Sequence, residues 1–99
     1  MRGLQGKTAI VTGGLGDLGY AAAQRLCQEG VQVAVFDVKA DEDGQAAAIG
    51  ASFHQVDIAD EPQVETACAA AEQAHGPATI LVNCAAAFVF KSVEATAAD

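Results

Sequence analysis

The chain has 99 residues, of which 52% are hydrophobic and 18% are charged, and its formal net charge is −8. This length and hydrophobic content fit one compact domain and argue against intrinsic disorder. The negative charge repels phosphate polymers, which argues against nucleic-acid binding through a basic surface. The longest apolar run, residues 84–90, is far shorter than the roughly 18 to 20 residues that a membrane-spanning helix needs.

The cysteines and the first residues bear on the cellular compartment. Cys27, Cys68 and Cys84 are an odd number without C-x-x-C spacing, so neither a disulfide framework nor a zinc site is predicted. Residues 5–7, Gln-Gly-Lys, interrupt any apolar segment of a secretory signal. We therefore expect a cytoplasmic protein with reduced thiols.

The first part of the chain follows the order strand, helix, strand. Residues 7–12 form a short apolar run that glycine ends at once, which is typical of a buried parallel strand. Apolar residues recur near helical spacing from about 17 to 29, and Gly30 stands where a helix C-terminal cap is expected. Residues 31–36 predict a second strand that delivers Asp37 to its carboxyl end.

The second part continues the alternation. Residues 41–49 are rich in alanine and predict a two-turn helix, and residues 51–56 predict a third strand. Asp60 is the expected N-cap of a third helix that has a proline in its first turn and runs to about His75. Residues 80–83 predict the fourth strand.

Strands that alternate with helices predict a parallel sheet covered on both faces. The expected fold class is α/β, the N-terminal half of a Rossmann-type doubly wound sheet with strand order 3-2-1-4. No linker, repeat or low-complexity segment divides the chain. Residues 1–99 are therefore interpreted as the N-terminal part of a single domain.

A glycine-rich turn lies where the first strand passes to the first helix. Gly14, Gly16 and Gly19 match G-x-G-x-x-G, a pattern that lets the backbone approach a pyrophosphate at a helix N-terminus. Asp37 is placed to accept hydrogen bonds from a ribose diol, and its charge would repel the 2′-phosphate of NADP. Lys39 is a nearby cation, but NAD is favoured, so residues 1–99 are interpreted as the N-terminal part of a single NAD-binding Rossmann domain. Ordinary structural roles remain open, because glycine and aspartate are also common in plain turns.

Two segments resemble signatures of the short-chain dehydrogenase/reductase family. From Thr12 the chain reads Thr-Gly-x-x-x-Asp-x-Gly, which resembles the family's Thr-Gly-x-x-x-Gly-x-Gly with Asp17 in place of the middle glycine. Residues 83–86 resemble its Asn-Asn-Ala-Gly motif, with Cys84 and Ala86 at the second and fourth positions. The resemblance extends over essentially the whole chain.

The resemblance implies an NAD-dependent oxidoreductase that transfers a hydride between NAD and an alcohol or carbonyl substrate. By resemblance, Asp57 contacts the adenine, and the segment from Asn83 steadies the sheet beside the cofactor. The cofactor-binding residues that we expect are Thr12, Gly13, Gly14, Leu15, Gly16, Asp17, Leu18, Gly19, Asp37, Val38, Asp57, Ile58, Asn83, Cys84 and Ala85.

The catalytic residues of the family have no counterpart in this sequence. Family members carry a Ser, a Tyr-x-x-x-Lys pair and an Asn, whereas the one tyrosine here, Tyr20, is followed four residues later by Gln24. We therefore expect the N-terminal part of a longer, usually oligomeric enzyme, and no turnover by the isolated chain. His54 and His75 have no second metal ligand at useful spacing, so solvent or turn roles are expected and no metal site is assigned.

Two other functions remain as alternatives. A non-catalytic NAD-binding module would share all of these motifs. A methyltransferase also has a glycine turn and an acidic end of the second strand, which it uses for S-adenosylmethionine. The Thr12-Gly13 pair and the segment from Asn83 argue against the methyltransferase.

Overall fold

Four short parallel strands form one sheet in the order β3-β2-β1-β4. The computed structural model describes residues 5–84. The elements are β1 (Thr8–Thr12), α1 (Asp17–Gln28), β2 (Gln32–Asp37), α2 (Gln45–Ala48), β3 (Ser52–Gln55), α3 (Glu61–His75) and β4 (Ile80–Asn83). The predicted α/β class and strand order are confirmed. The segment that contains Ala85 lies outside the described residues.

The strand register brings the carboxyl ends of the strands to one edge of the sheet. Thr12 pairs with Phe36 of β2 on one side and with Asn83 of β4 on the other. Asp37 pairs with Gln55 near the end of β3. We call this side the carboxyl edge. Ligands of open α/β sheets bind along such an edge, so the register places the candidate residues where a cofactor is expected.

Both faces of the sheet are packed, which explains the continuous apolar runs of the strands. One face places Val11 and Val35 against the first two helices, including Ala23 of α1. The other places Phe36, which is 1% exposed, in a cluster with Ala71 of α3. Small residues on the inner sides of α1 and α3 let these helices lie close to the strands.

The ends of α1 and α3 follow their sequence signals. Gly30 has φ +83°, and the Val31 N–H donates to the Leu26 carbonyl at 3.0 Å, which closes α1 as predicted. At the start of α3, the Asp60 carboxylate accepts the Gln63 backbone N–H at 3.2 Å and also accepts the Gln63 side-chain amide N–H at 3.0 Å. The predicted N-cap is therefore confirmed.

The second helix is shorter than predicted. The two-turn helix over residues 41–49 is wrong, because α2 is the single turn Gln45–Ala48. The Asp41 carboxylate accepts the backbone N–H groups of Gln45 and Ala46 at 2.7 and 2.9 Å. Gly44 before the turn has φ +68°, outside the helical region. The chain therefore turns at Gly44 and enters the helix only after it.

The face of the sheet beside α3 is partly open in the described structure. A groove of about 400 Å³ lies along β1 and β4, and Ile10, Phe36, Ile58 and Leu81 are among its lining residues. Leu81 is 66% exposed, although it lies within a strand. Among residues 5–84, no helix has the length and apolar character needed to cross a bilayer.

Candidate cofactor site at the carboxyl edge

The glycine turn is attached to the neighbouring strand through its backbone. Gly13 has φ +68°, a conformation that side chains disfavour. Its N–H donates to the Phe36 carbonyl at 2.7 Å, and its own carbonyl accepts the Gly16 N–H at 3.1 Å. The turn between β1 and α1 therefore has one defined conformation against the end of β2.

Two of the other glycines are required by close packing. A Cβ atom on Gly14 would lie 2.5 Å from Cγ1 of Val35. A Cβ atom on Gly19 would overlap the carbonyl oxygen of Gly13 and lie 2.8 Å from its carbonyl carbon. Both contacts are closer than non-bonded atoms tolerate, so a side chain at Gly14 would require Val35 or the turn to move, and one at Gly19 would require the backbone of the turn to move.

Gly16 differs from its neighbours, because the fold does not require glycine there. Its φ of −76° and ψ of 165° are extended values that any residue adopts. A Cβ atom would make only an ordinary 3.5 Å contact with the Gly13 carbonyl oxygen. Gly16 is exposed, as are Asp17 and Leu18 that follow it. The absence of a side chain at Gly16 therefore leaves open surface in front of the start of α1.

The N-terminus of α1 has no side-chain cap, unlike that of α3. Gly16 occupies the cap position and offers no acceptor to the first N–H groups of the helix. Such groups, together with the positive end of the helix dipole, form an anion-binding site. The start of α1 therefore fits a phosphate group.

Asp37 joins the glycine turn to the end of β2. The residue is 9% exposed; Oδ2 of its carboxylate accepts the Leu15 backbone N–H at 3.0 Å and Oδ1 accepts the Lys39 backbone N–H at 3.0 Å. Each carboxylate oxygen can accept a further bond, so these contacts leave capacity for hydroxyl groups. The sequence placed Asp37 at this edge but carried no signal for the contact with Leu15, which lies 22 residues away along the chain.

The residues after β3 form a turn next to the site. Asp57 accepts the Ala59 backbone N–H at 3.0 Å through Oδ1, and its own N–H donates to Gln63 of α3 at 2.9 Å. Ile58 packs against the cluster under α3 and lines the groove together with Thr12 and Asn83. Both predicted residues of this segment therefore lie at the carboxyl edge.

Thr12 connects the first and fourth strands at the same edge. Its hydroxyl donates to Oδ1 of Asn83 at 2.5 Å, and its carbonyl accepts the Cys84 N–H at 3.0 Å. Val38, next to Asp37, is 59% exposed, and Leu18 at the start of α1 is 76% exposed. Every predicted segment in the described residues thus reaches this edge. Ala85, the last predicted residue, lies outside them.

In the described part of the chain no metal-binding cluster is found, and two of the thiols have raised pKa values. Residues 5–84 hold no group of three or more His, Cys, Asp or Glu side chains that could bind a metal ion. Burial raises the pKa of the Cys27 thiol, and burial with the charge of Glu72 raises the pKa of Cys68. A raised pKa keeps a thiol protonated and poorly nucleophilic.

The parallel sheet, the glycine turn and the open start of α1 define a Rossmann-type nucleotide-binding fold. The family model described as short chain dehydrogenase matches residues 7–99. The chain therefore belongs to the short-chain dehydrogenase family, an oxidoreductase family whose members bind a nicotinamide cofactor and a small-molecule substrate.

Individual relatives agree with this family. The chain is 40% identical to the NADP-dependent (R)-specific alcohol dehydrogenase of Lentilactobacillus kefiri, over 97% of this chain and 40% of that protein. It is 34% identical to the 3-hydroxyacyl-CoA dehydrogenase type-2 of Bos taurus, over 85% of this chain and 33% of that protein. It therefore spans well under half the length of these curated relatives.

A solved structure shows the same fold. The 3-ketoacyl-(acyl-carrier-protein) reductase from Brucella melitensis, complexed with NADH, matches with a TM-score of 0.72 at 34% sequence identity. The match covers 79% of this chain and 34% of that one.

Proposed function

We propose that this chain binds NAD and is the cofactor-binding part of an oxidoreductase that transfers a hydride between NAD and an alcohol or carbonyl substrate. The main support is Asp37, a buried carboxylate that contacts the glycine turn through the Leu15 N–H at 3.0 Å. This contact places an acceptor for ribose hydroxyls beside an uncapped helix N-terminus that fits a phosphate.

Each segment of the carboxyl edge has a role in this proposal. Gly13, Gly14 and Gly19 shape the turn, and Gly16 keeps the approach to α1 open for the pyrophosphate. Asp37 selects the ribose. We assign Asp57 and Ile58 to the adenine, and Asn83 with Ala85 to the nicotinamide ribose. NAD supplies the hydride acceptor, and the residues of this chain bind and orient it.

Proton transfer requires groups that this chain does not supply. The sequence contains no Tyr-x-x-x-Lys, and the hydroxyl of Tyr20 donates to the Gln45 carbonyl at 3.2 Å. We therefore propose that the chain alone has no turnover and that a complete enzyme would combine it with catalytic residues. A cytoplasmic location is part of the same proposal.

The choice of NAD over NADP depends on the charge of Asp37. Its carboxylate is held at the end of β2 by two backbone N–H groups and cannot turn away without losing them. A 2′-phosphate on the ribose would meet this negative charge. The alcohol dehydrogenase of Lentilactobacillus kefiri is NADP-dependent, whereas the structure of the Brucella melitensis reductase is a complex with NADH. Family membership by itself therefore leaves both cofactors open.

Calorimetric titration of the purified chain should distinguish the cofactors. We expect NADH to bind at least about tenfold more tightly than NADPH, which corresponds to about 1.4 kcal/mol. S-adenosylmethionine serves as the third ligand and should show no saturable binding. Tighter binding of NADPH would contradict the choice of NAD. Failure of a folded chain to bind either dinucleotide, with folding checked by circular dichroism, would contradict the proposed function itself.

Asp17 is the departure from the family signature, and we expect it to weaken binding only modestly. A carboxylate about 4 Å from a phosphate in a site with an effective dielectric near 20 would cost about 4 kcal/mol. Asp17 is exposed, so solvent and salt screen its charge. Asp17→Gly should therefore tighten NADH binding by about two- to tenfold, measured by titration at low salt.

The matched variant Asp17→Asn separates charge from shape. It removes the carboxylate charge and keeps nearly the same side-chain size, so it should reproduce most of the gain in NADH affinity. A large loss of NADH affinity in either variant would show that Asp17 has a positive role in binding.

A further inference from the structure

A group of polar side chains lies at the opposite side of the sheet, where β2 and β3 begin. The Ser52 hydroxyl oxygen is 3.1 Å from Nε2 of His54 and 2.9 Å from Nε2 of His75. Nδ1 of His75 is 3.1 Å from Oε1 of Gln32. These four residues, the histidine cluster, come from β2, β3 and the last position of α3. From the sequence we expected only solvent or turn roles for His54 and His75, which does not account for these contacts.

The hydrogens in this cluster can be assigned by counting donors. The amide oxygen of Gln32 only accepts, so Nδ1 of neutral His75 must carry the hydrogen and its Nε2 must accept. Ser52 has one hydrogen, which it must donate to His75. Ser52 is then the acceptor in its contact with His54, so His54 must carry its hydrogen on Nε2.

We propose that the histidine cluster is a pH-sensitive attachment of the end of α3 to the sheet. In its neutral form, His54 donates to Ser52, Ser52 donates to His75, and His75 donates to Gln32. The two histidines thus hold opposite tautomers, and the bonds connect α3 to both β2 and β3.

Acid acts on this arrangement through the closeness of the two rings. Both Nε2 atoms contact the same Ser52 hydroxyl oxygen, so a positive charge on His75 disfavours a positive charge on His54. The Thr8 hydroxyl donates to the His75 backbone carbonyl at 2.9 Å, a bond that involves neither ring and keeps the helix end near β1. The expected result is a weakened contact with β2 and β3 and not detachment of the whole helix.

His54 is placed to resist protonation. Burial lowers its pKa, and the charge of neighbouring His75 lowers it further. Its other contacts are uncharged: Ser52 on its own strand, and the Phe36 ring of β2 with centroids 5.5 Å apart. Residues of α3 that line the cavity beside it, Pro62, Gln63, Thr66, Ala67 and Ala70, are uncharged as well.

The direction of the stability change follows from this lowered pKa. Below the ordinary histidine pKa of 6.5, the unfolded chain binds a proton at position 54 that the folded chain resists. The contribution of His54 is therefore complete above that value and is lost as the pH falls through the lower pKa of the folded state. The histidine cluster thus stabilises the fold at neutral pH and less so in mild acid.

Nuclear magnetic resonance of the imidazole nitrogens tests the assignment in the wild-type chain. At a pH of about 7.5, long-range proton–nitrogen spectra should show the hydrogen on Nε2 of His54 and on Nδ1 of His75. Any other combination of tautomers on His54 and His75, including the same tautomer on both rings, would overturn the proposal.

Variants of Ser52 and His54 test whether the two histidines are coupled through the Ser52 hydroxyl. Ser52→Thr keeps the hydroxyl and should preserve both tautomers, whereas Ser52→Ala should leave His75 as a tautomer mixture. In urea titrations, the unfolding constant of the wild type should rise several-fold between pH values of about 7.5 and 5.5. His54→Gln should flatten this rise. Wild-type tautomers in Ser52→Ala would overturn the proposal. Wild-type pH dependence of unfolding in His54→Gln would overturn it as well.

Discussion

Gly19→Ala is expected to disrupt the glycine turn and to abolish NADH binding. The added Cβ would overlap the Gly13 carbonyl oxygen and lie 2.8 Å from its carbon, and both atoms belong to the backbone of a tightly bonded turn. Glycine to alanine within a helix ordinarily stabilises a protein by about 0.5–1 kcal/mol. Here the sign should reverse, with a loss of about 3 kcal/mol or more from overpacking. Urea denaturation and NADH titration measure the two effects.

Gly16→Ala provides the matched control, since it adds the same methyl group three residues earlier. Its backbone is extended, and the nearest contact would be an ordinary 3.5 Å. Its free energy of unfolding should stay within about 1 kcal/mol of the wild type. NADH binding should nevertheless weaken, because the methyl group occupies the approach to α1. Wild-type stability in Gly19→Ala would contradict the geometry described for the turn.

Asp37→Ala is expected to lower both the stability of the fold and the preference for NADH over NADPH. The Leu15 and Lys39 N–H groups would lose their acceptors, at a cost of about 1–3 kcal/mol for each that stays unpaired away from water. The charge that opposes a 2′-phosphate would also disappear. We therefore expect the NADPH to NADH affinity ratio to rise by about tenfold, together with a lower urea midpoint.

Two variants make this result interpretable. Asp37→Asn keeps one carbonyl oxygen, so it should lose less stability than Asp37→Ala while still losing the charge. Asp57→Ala removes a carboxylate from the end of the next strand, where its Oδ1 accepts a single backbone N–H from Ala59. It should leave the ratio of the two affinities unchanged. An unchanged ratio in both Asp37 variants would show that this carboxylate does not select the cofactor.

Much of the fold was predictable because its signals are local. A buried strand, a helix and their end residues are each encoded within a few neighbouring positions. Gly30 ended α1 and Asp60 capped α3 as the sequence indicated. The prediction of a helix over residues 41–49 was wrong because of another local interaction. The Asp41 carboxylate accepts backbone N–H groups of α2 directly, where a first helical turn was expected.

The position of the candidate site was predictable, but the role of each of its glycines was not. The sequence motif does not distinguish Gly14, Gly16 and Gly19 from one another. Distances across the turn show that Gly14 and Gly19 are required by packing against Val35 and Gly13, while Gly16 is not. These distances depend on how β1, β2 and α1 lie against one another, which no spacing along the chain specifies.

The sequence by itself determined the order of strands and helices, the glycine turn and the acidic end of β2, because periodicity and backbone preference act over short stretches. Only the tertiary structure decided that the Asp37 carboxylate bonds to Leu15 and that Ser52 lies between His54 and His75. His54 and His75 are separated by a whole helix in the chain and meet only because α3 packs across β2 and β3. Contacts of this kind are set by the register of the sheet and the docking of a helix, to which every core residue contributes.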